Sequence, residues 1–252
     1  MKISIDDSAN GIMVASSHTR FGQSKSIKQL STMKTRLFLF GAICIAAVNV
    51  HAVQLKIVKV NAPEINYLFS SNGTVTVSDT VAQFTTNLPP YATSNLPNAS
   101  LSGFLQSRTY AGLPGTPEAG LNAYEYRLVL KSLTGAGSVA LNSMTLKFSP
   151  YSSFTYNGQT NKQAWVVTSG GLGSVGPNSA ATSGSKVTFT FNPPLTFSSV
   201  TNQETSSYFF GMISPTKPPP AANGWASFTG TEKLTGGGTV PFNFLMLPVR
   251  TP

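Results

Sequence analysis

Alternation of apolar and polar residues with a period of two constrains this chain more than any other feature. Across residues 123–131, Tyr124, Tyr126, Leu128 and Leu130 fall on one parity, and Glu125, Arg127, Val129 and Lys131 on the other. Successive side chains of an extended strand point to opposite faces, so the pattern predicts a half-buried strand. Its wet face would carry Glu125 and Arg127 as salt-bridged neighbours. The same rhythm recurs at 74–78, 186–191 and 240–247, where Val240, Phe242, Phe244 and Met246 share a parity. At 139–148 the alternation breaks at Asn142-Ser143, the mark of a bulge or bend. The continuous apolar run at 208–213 predicts a central strand covered on both faces. Segments 54–60, 81–86, 101–110, 164–168 and 224–229 bring the set to about ten short strands. Gly-, Pro- and Asn-rich stretches separate them, with loops expected at 87–99, 111–120 and 169–185. No segment reads as a convincing amphipathic helix. The expected class is all-β, a two-sheet antiparallel β-sandwich of jelly-roll or Ig-like topology.

Residues 33–52 read MKTRLFLFGAICIAAVNVHA. Lys34 and Arg36 form a basic head, an apolar run follows, and Val50-His51-Ala52 is a small-residue cleavage signal, the layout of a secretory signal peptide cut after Ala52. Residues 1–32 are polar and lack apolar periodicity, so they read as an over-extended gene start upstream of an initiator at Met33. Residues 53–252 are then expected to form a single β-sandwich domain, secreted to the periplasm or the extracellular space. The signal's own apolar run is too short to anchor the chain, and no second run approaches the ~20 residues of a membrane helix. No transmembrane anchor is expected after cleavage.

The cut removes the one cysteine, Cys44, and both histidines, His18 and His51. Without disulfides, packing and backbone hydrogen bonds alone must hold the mature fold. Without imidazole or thiol, the usual ligands of zinc and copper and the commonest acid–base group are missing. No metal site and no cofactor are expected. The mature segment carries eleven Lys and Arg against six Asp and Glu. Its cations are scattered rather than clustered on one face, so no nucleic-acid partner is expected.

Several short motifs echo chemistry that their context does not sustain. Gly171-Leu-Gly173-Ser-Val-Gly176 spells GxGxxG, but Pro177 and a Ser/Ala/Thr loop follow where a dinucleotide site needs a helix. The stretch reads as a flexible surface loop. Ser183 and Lys186 match SxxK, and residues 233–236 faintly echo KTG, yet Lys186 opens a strand, which points residues three apart to opposite faces. The six acids Glu64, Asp79, Glu118, Glu125, Glu204 and Glu232 supply the raw material of a paired-carboxylate glycosidase. Nothing in their spacing brings two together, and no catalytic residue is assigned. Asn72 and Asn98 head N-glycosylation sequons.

Aromatics give the one candidate binding site. Tyr151, Phe154 and Tyr156 crowd a loop-like segment before Trp165, and Trp225 adjoins Asn223-Gly224. Exposed rings flanked by Asn, Gln and Ser suit sugars, because C–H faces stack on rings while amides bond hydroxyls. Burial in the core is the competing reading, above all for Trp165.

Toward the C-terminus, Tyr208-Phe-Phe-Gly-Met-Ile-Ser-Pro215, the Gly-rich turn at 236–238 and the last strand resemble the end of bacterial exported β-sandwich proteins of the C-terminal-sorting-tag (PEP-CTERM-like) type. Residues 247–252 carry no Val-Pro-Glu-Pro-type motif, so the tag itself is missing. The resemblance spans about forty-five residues; it implies an envelope or extracellular protein and assigns no activity. The first expectation is a secreted or cell-envelope, non-enzymatic β-sandwich with a structural, adhesive or matrix-contact role. Its partners would be surface or matrix polysaccharide or other envelope proteins. A carbohydrate-binding module is the alternative, and a pilin-like subunit completed by a donated strand the next.

Overall fold

The computed structural model describes residues 52–69, 78–88 and 99–252. Residues 1–51, with all of the signal segment but Ala52 and with His18, Cys44 and His51, lie outside the described residues, as do Asn72, Asn98 and all but the last residue of the strand expected at 74–78.

Two sheets face one another across a common core, as the alternation predicts. The first runs in the order β1 (Val53–Leu55), β10 (Pro177–Ser183), β11 (Lys186–Ser198), β6 (Ser138–Lys147), β14 (Gly224–Lys233) and β15 (Thr239–Val249). The second runs β2 (Ile57–Asn61), β9 (Ala164–Ser169), β13 (Phe210–Ser214), β5 (Asn122–Thr134), β4 (Ser100–Ala111) and β3 (Ser78–Asn87), with the short β12 (Thr205–Ser206) also on β5. The sheets are antiparallel throughout except where β2 runs parallel to β9. The inward parity expected for β5 holds: Tyr124, Tyr126, Leu128 and Leu130 are all buried in the core between the sheets, with Leu141, Met144, Phe189 and Phe228 opposite. Each such side chain contributes about 1.5–3 kcal/mol through removal from water. Strand β13 lies between β5 and β9 and is buried at every position, as its unbroken apolar run requires. The break in β6 is a bulge: Thr229 pairs with Ser143 and Gly230 with Leu141, leaving Asn142 as the extra residue.

The structure departs from the sequence reading at four places. The strand expected over 54–60 divides at Lys56, whose N–H donates to Gln163 Oε1 at 2.8 Å and whose carbonyl accepts the Gln163 N–H at 3.0 Å. Its first half joins one sheet and its second half the other. The loop expected over 169–185 contains β10, built almost wholly of small residues whose alternation hydropathy does not register. The loop-like aromatic segment contains a hairpin, β7 (Phe154–Tyr156) and β8 (Gln159–Lys162). Its Asn157-Gly158 turn has φ of 47° and 74°, the left-handed pair a two-residue hairpin needs. A helix, α1 (Ala62–Phe69), follows Asn61, with Pro63 in its first turn. Eight residues are too few for a helical period to stand out, and packing supplies the stability: Ile65 and Phe69, one turn apart, are both buried.

These last two elements add a third layer. The α1 helix and the β7–β8 hairpin cover part of the outer face of the second sheet, where Ile65, Phe69, Phe154 and Tyr156 bury Val58, Trp165 and Ile213. The corresponding face of the first sheet is lined by hydroxyls in register. Thr190, Ser143 and Thr229 form one cross-strand row, and Thr188, Thr145 and Ser227 the next.

Candidate functional site

The five aromatics do not form one platform. Trp165 is fully buried between the rings of Phe69, stacked at 5.9 Å, and Phe154, edge-on at 5.4 Å. Phe154 and Tyr156 belong to the same buried cluster, and the Tyr156 hydroxyl accepts the Asn61 N–H at 3.2 Å. As sugar-stacking candidates, Phe154, Tyr156 and Trp165 are therefore corrected to core: the hairpin turns them inward against α1. Tyr151, at 37% exposure, and Trp225, at 55%, reach solvent.

Glu125 is also displaced from its expected role. It is 3% exposed, not a surface ion pair. Its Oε1 accepts the Trp165 indole N–H at 2.9 Å, and the Tyr110 hydroxyl is buried beside it. Burial raises the Glu125 carboxyl above its ordinary range, against the pull of the Tyr110 hydroxyl, the Trp165 N–H and Arg108. Arg127 instead donates to Ser206 Oγ at 3.0 Å. A cavity of about 230 Å³ opens over Glu125, bounded by Arg108, Phe209, Ala62 and Leu172. Arg108 is already committed: it pairs with Asp79 at 3.0 Å and lies 4.1 Å above the centre of the Phe209 ring. Asp79 and Glu125 thus flank one guanidinium, Asp79 as its ion pair and Glu125 as its partner in strand register. Glu232 is buried on β14, in the other sheet, and burial raises its carboxyl; Glu118 is buried in the 112–121 loop and Glu204 is exposed.

A larger concavity lies at the edge of the sandwich where β1 passes into β2. It measures about 410 Å³, within the usual ~300–1,000 Å³ range of ligand pockets. Leu55, Ile57 and Val166 give it an apolar floor. Gln54 of β1, Asn178 of β10 and Asn192 of β11 bring carboxamides from three strands, Thr168, Ser174 and Ser179 add hydroxyls, and the half-buried ring of Tyr208 completes the wall. Lys59 is the one charged side chain in this lining.

The GxGxxG stretch forms one lip of this cleft. Residues 171–174 are the exposed loop between strands that was expected, but its end, Ser174 to Gly176, is held to the neighbouring backbone. The Ser174 N–H donates to the Ser206 carbonyl at 3.0 Å, and the Tyr208 N–H to the Val175 carbonyl at 2.7 Å. Gly173, at φ +113°, lies against the Ser207 carbonyl, and Gly176 against Val166 and the Tyr208 ring, too close in both cases for a Cβ. The glycines serve close backbone approach rather than a nucleotide phosphate. Ser183 and Lys186 face one another as the closing pair of the β10–β11 hairpin, both exposed.

No family model, curated protein or solved structure matches the chain. The edge cleft is therefore read from its own residues. Sequence reasoning missed Gln54, Asn178, Asn192 and Tyr208 because they lie far apart along the chain and meet only through strand order. One local signal was present: three glycines ending just before Pro177 mark a segment held tightly against something. Among the described residues, no three of His, Cys, Asp and Glu gather as a metal site would require.

Proposed function

We propose that the protein is an exported, non-enzymatic β-sandwich making adhesive or matrix contacts at the cell envelope or beyond it, with the edge cleft as its contact site. The donor set of that cleft carries the reading. Amides, hydroxyls and one tyrosine surround a floor of buried and half-buried aliphatic groups, and the lining includes no carboxylate. Such groups hold a partner by directional hydrogen bonds, whereas hydrolysis of a glycosidic bond needs two carboxyl groups across the scissile atoms. The export step is supported by the basic head, apolar run and small-residue signal of residues 33–52.

The test uses the full chain expressed with its own leader. The exported protein is incubated with washed envelope and matrix fractions, and with a polysaccharide panel assayed for new reducing ends. The expected outcome is wash-resistant retention on a matrix fraction without release of reducing ends, and a mature N-terminus near Val53. Release of reducing ends that disappears in Glu125→Gln or Asp79→Asn would overturn the non-enzymatic reading and move the site to the smaller cavity.

A further inference from the structure

We infer that the edge cleft is a saccharide site that takes a short, neutral glycan unit. This assignment rests on the contact role proposed above and names its ligand class. Hydrogen-bonding capacity is the first argument. Each carboxamide offers two donors and an acceptor, and each hydroxyl donates and accepts. Gln54, Asn178 and Asn192, with Thr168, Ser174 and Ser179 among them, therefore present mixed donors and acceptors around one opening. Neighbouring hydroxyls on a sugar ring require that mixture, since each of them is both donor and acceptor. A ligand with acceptors only, such as a phosphate, calls for an all-donor wall.

The apolar component is the second argument. One face of a pyranose is largely C–H, and it gains from an aliphatic or aromatic surface beneath it. Leu55, Ile57 and Val166 form such a floor, and the Tyr208 ring stands beside it. Charge is the third. A single lysine, Lys59, borders the cleft, without the cluster of cations that an oligouronate or phosphate would recruit and without the carboxylate that an amine would. Rigidity is the fourth. Backbone hydrogen bonds pin the glycine lip to residues 206–208, so little ordering entropy is lost on binding. Gly176 sets the room available: a methyl group there would collide with Val166 and press on the Tyr208 ring, two residues of the cleft lining.

The probe is a panel of neutral homotrisaccharides of glucose, mannose, galactose and N-acetylglucosamine, with oligouronates and inorganic phosphate as charged controls. Binding to the full exported chain is followed by saturation-transfer NMR and calorimetry. Saturable binding of at least one neutral trimer is expected. It should weaken about tenfold or more in Asn178→Ala and Asn192→Ala, both exposed positions whose truncation spares the core, and fail in Gly176→Ala. Binding should be unchanged in Tyr151→Ala and Trp225→Ala. Binding of the charged controls alone, loss only in the Tyr151 or Trp225 variants, or no binding of any neutral trimer would each overturn the assignment. Retention on the matrix fraction separates the two levels. If it persists without trisaccharide binding, the saccharide assignment fails and the contact role stands; if both are absent, the contact role fails as well.

Discussion

The two outer faces of the sandwich started from similar sequence and ended differently. Strand β5 presents Glu125, Arg127 and Val129 outward from the second sheet, and strand β11 presents Lys186, Thr188 and Thr190 outward from the first. Both patterns read as a wet face. On the second sheet α1 and the β7–β8 hairpin close over part of that face, so that Glu125 is buried against Trp165. On the first sheet Thr190 and Lys186 stay exposed, and hydroxyls bridge the strands, with Thr145 and Thr188 2.8 Å apart. Alternation specifies which side chains leave the common core. It carries no information on whether another layer waits outside, because for Glu125 on β5 that layer comes from segments about thirty or more residues away in the chain, before β3 and after β6.

The largest test of this contrast is its pair of tryptophans. Trp165→Ala should cost about 3–5 kcal/mol, since it empties a site packed by Phe69 and Phe154 and removes a partner from the buried Glu125 carboxyl. Thermal unfolding of the full chain measures it. If the melting temperature of Trp165→Ala stays near that of the parent, the third layer contributes nothing to stability. Next in size is Gly211→Ala on the central strand β13. A Cβ there would run into the Tyr124 carbonyl and stand 2.8 Å from Trp165 Cζ2. Overpacking of this kind costs about 1–3 kcal/mol, and the same melt reads it.

Glu125 gives a pH-dependent form of the comparison. Its carboxyl is raised by burial, so the folded state holds the proton more tightly than the unfolded chain does. The stability this contributes is fully present below the ordinary carboxylate range and is lost as the pH climbs through the raised value. Glu125→Gln keeps an acceptor for the Trp165 N–H and removes the titration. Relative to the parent, the variant should therefore become more stable on going from about pH 5 to about pH 8. A constant difference in melting temperature across that interval would mean that the Glu125 carboxyl reaches water freely.

What was legible in the sequence follows from the range of the interactions involved. Strand parity in β5, the Asn142 bulge and the fully buried β13 are set by residues within a few positions of one another, and each was readable. Strand β10 was hidden because Ala and Ser carry little hydropathic contrast, although Ala180 is fully inside the core. The Asn157-Gly158 turn was readable as a hairpin signal and was masked by the aromatics around it. The edge cleft was not legible at all. It exists because one segment changes sheets at Lys56 and brings Gln54 to Asn178 and Asn192, more than a hundred residues away in the chain.

The smallest effects belong on the open face, and they sharpen the contrast most cleanly. Trp225 stands 55% exposed on β14, in register with Pro248. Its ring has few neighbours to lose, so Trp225→Ala should change stability by no more than about 0.5 kcal/mol. Thr188→Val keeps the β-branched shape that a strand favours and gives up one hydroxyl pair at a position where water can replace it. A change of similar size is expected there. Placed beside Trp165→Ala, the Trp225 variant holds residue type and truncation constant and varies the surroundings of the ring, the covering layer and the Glu125 hydrogen bond included. A loss above about 2 kcal/mol at Trp225 would mean that this face, too, is covered in the folded protein, by a segment or partner that packs on the ring.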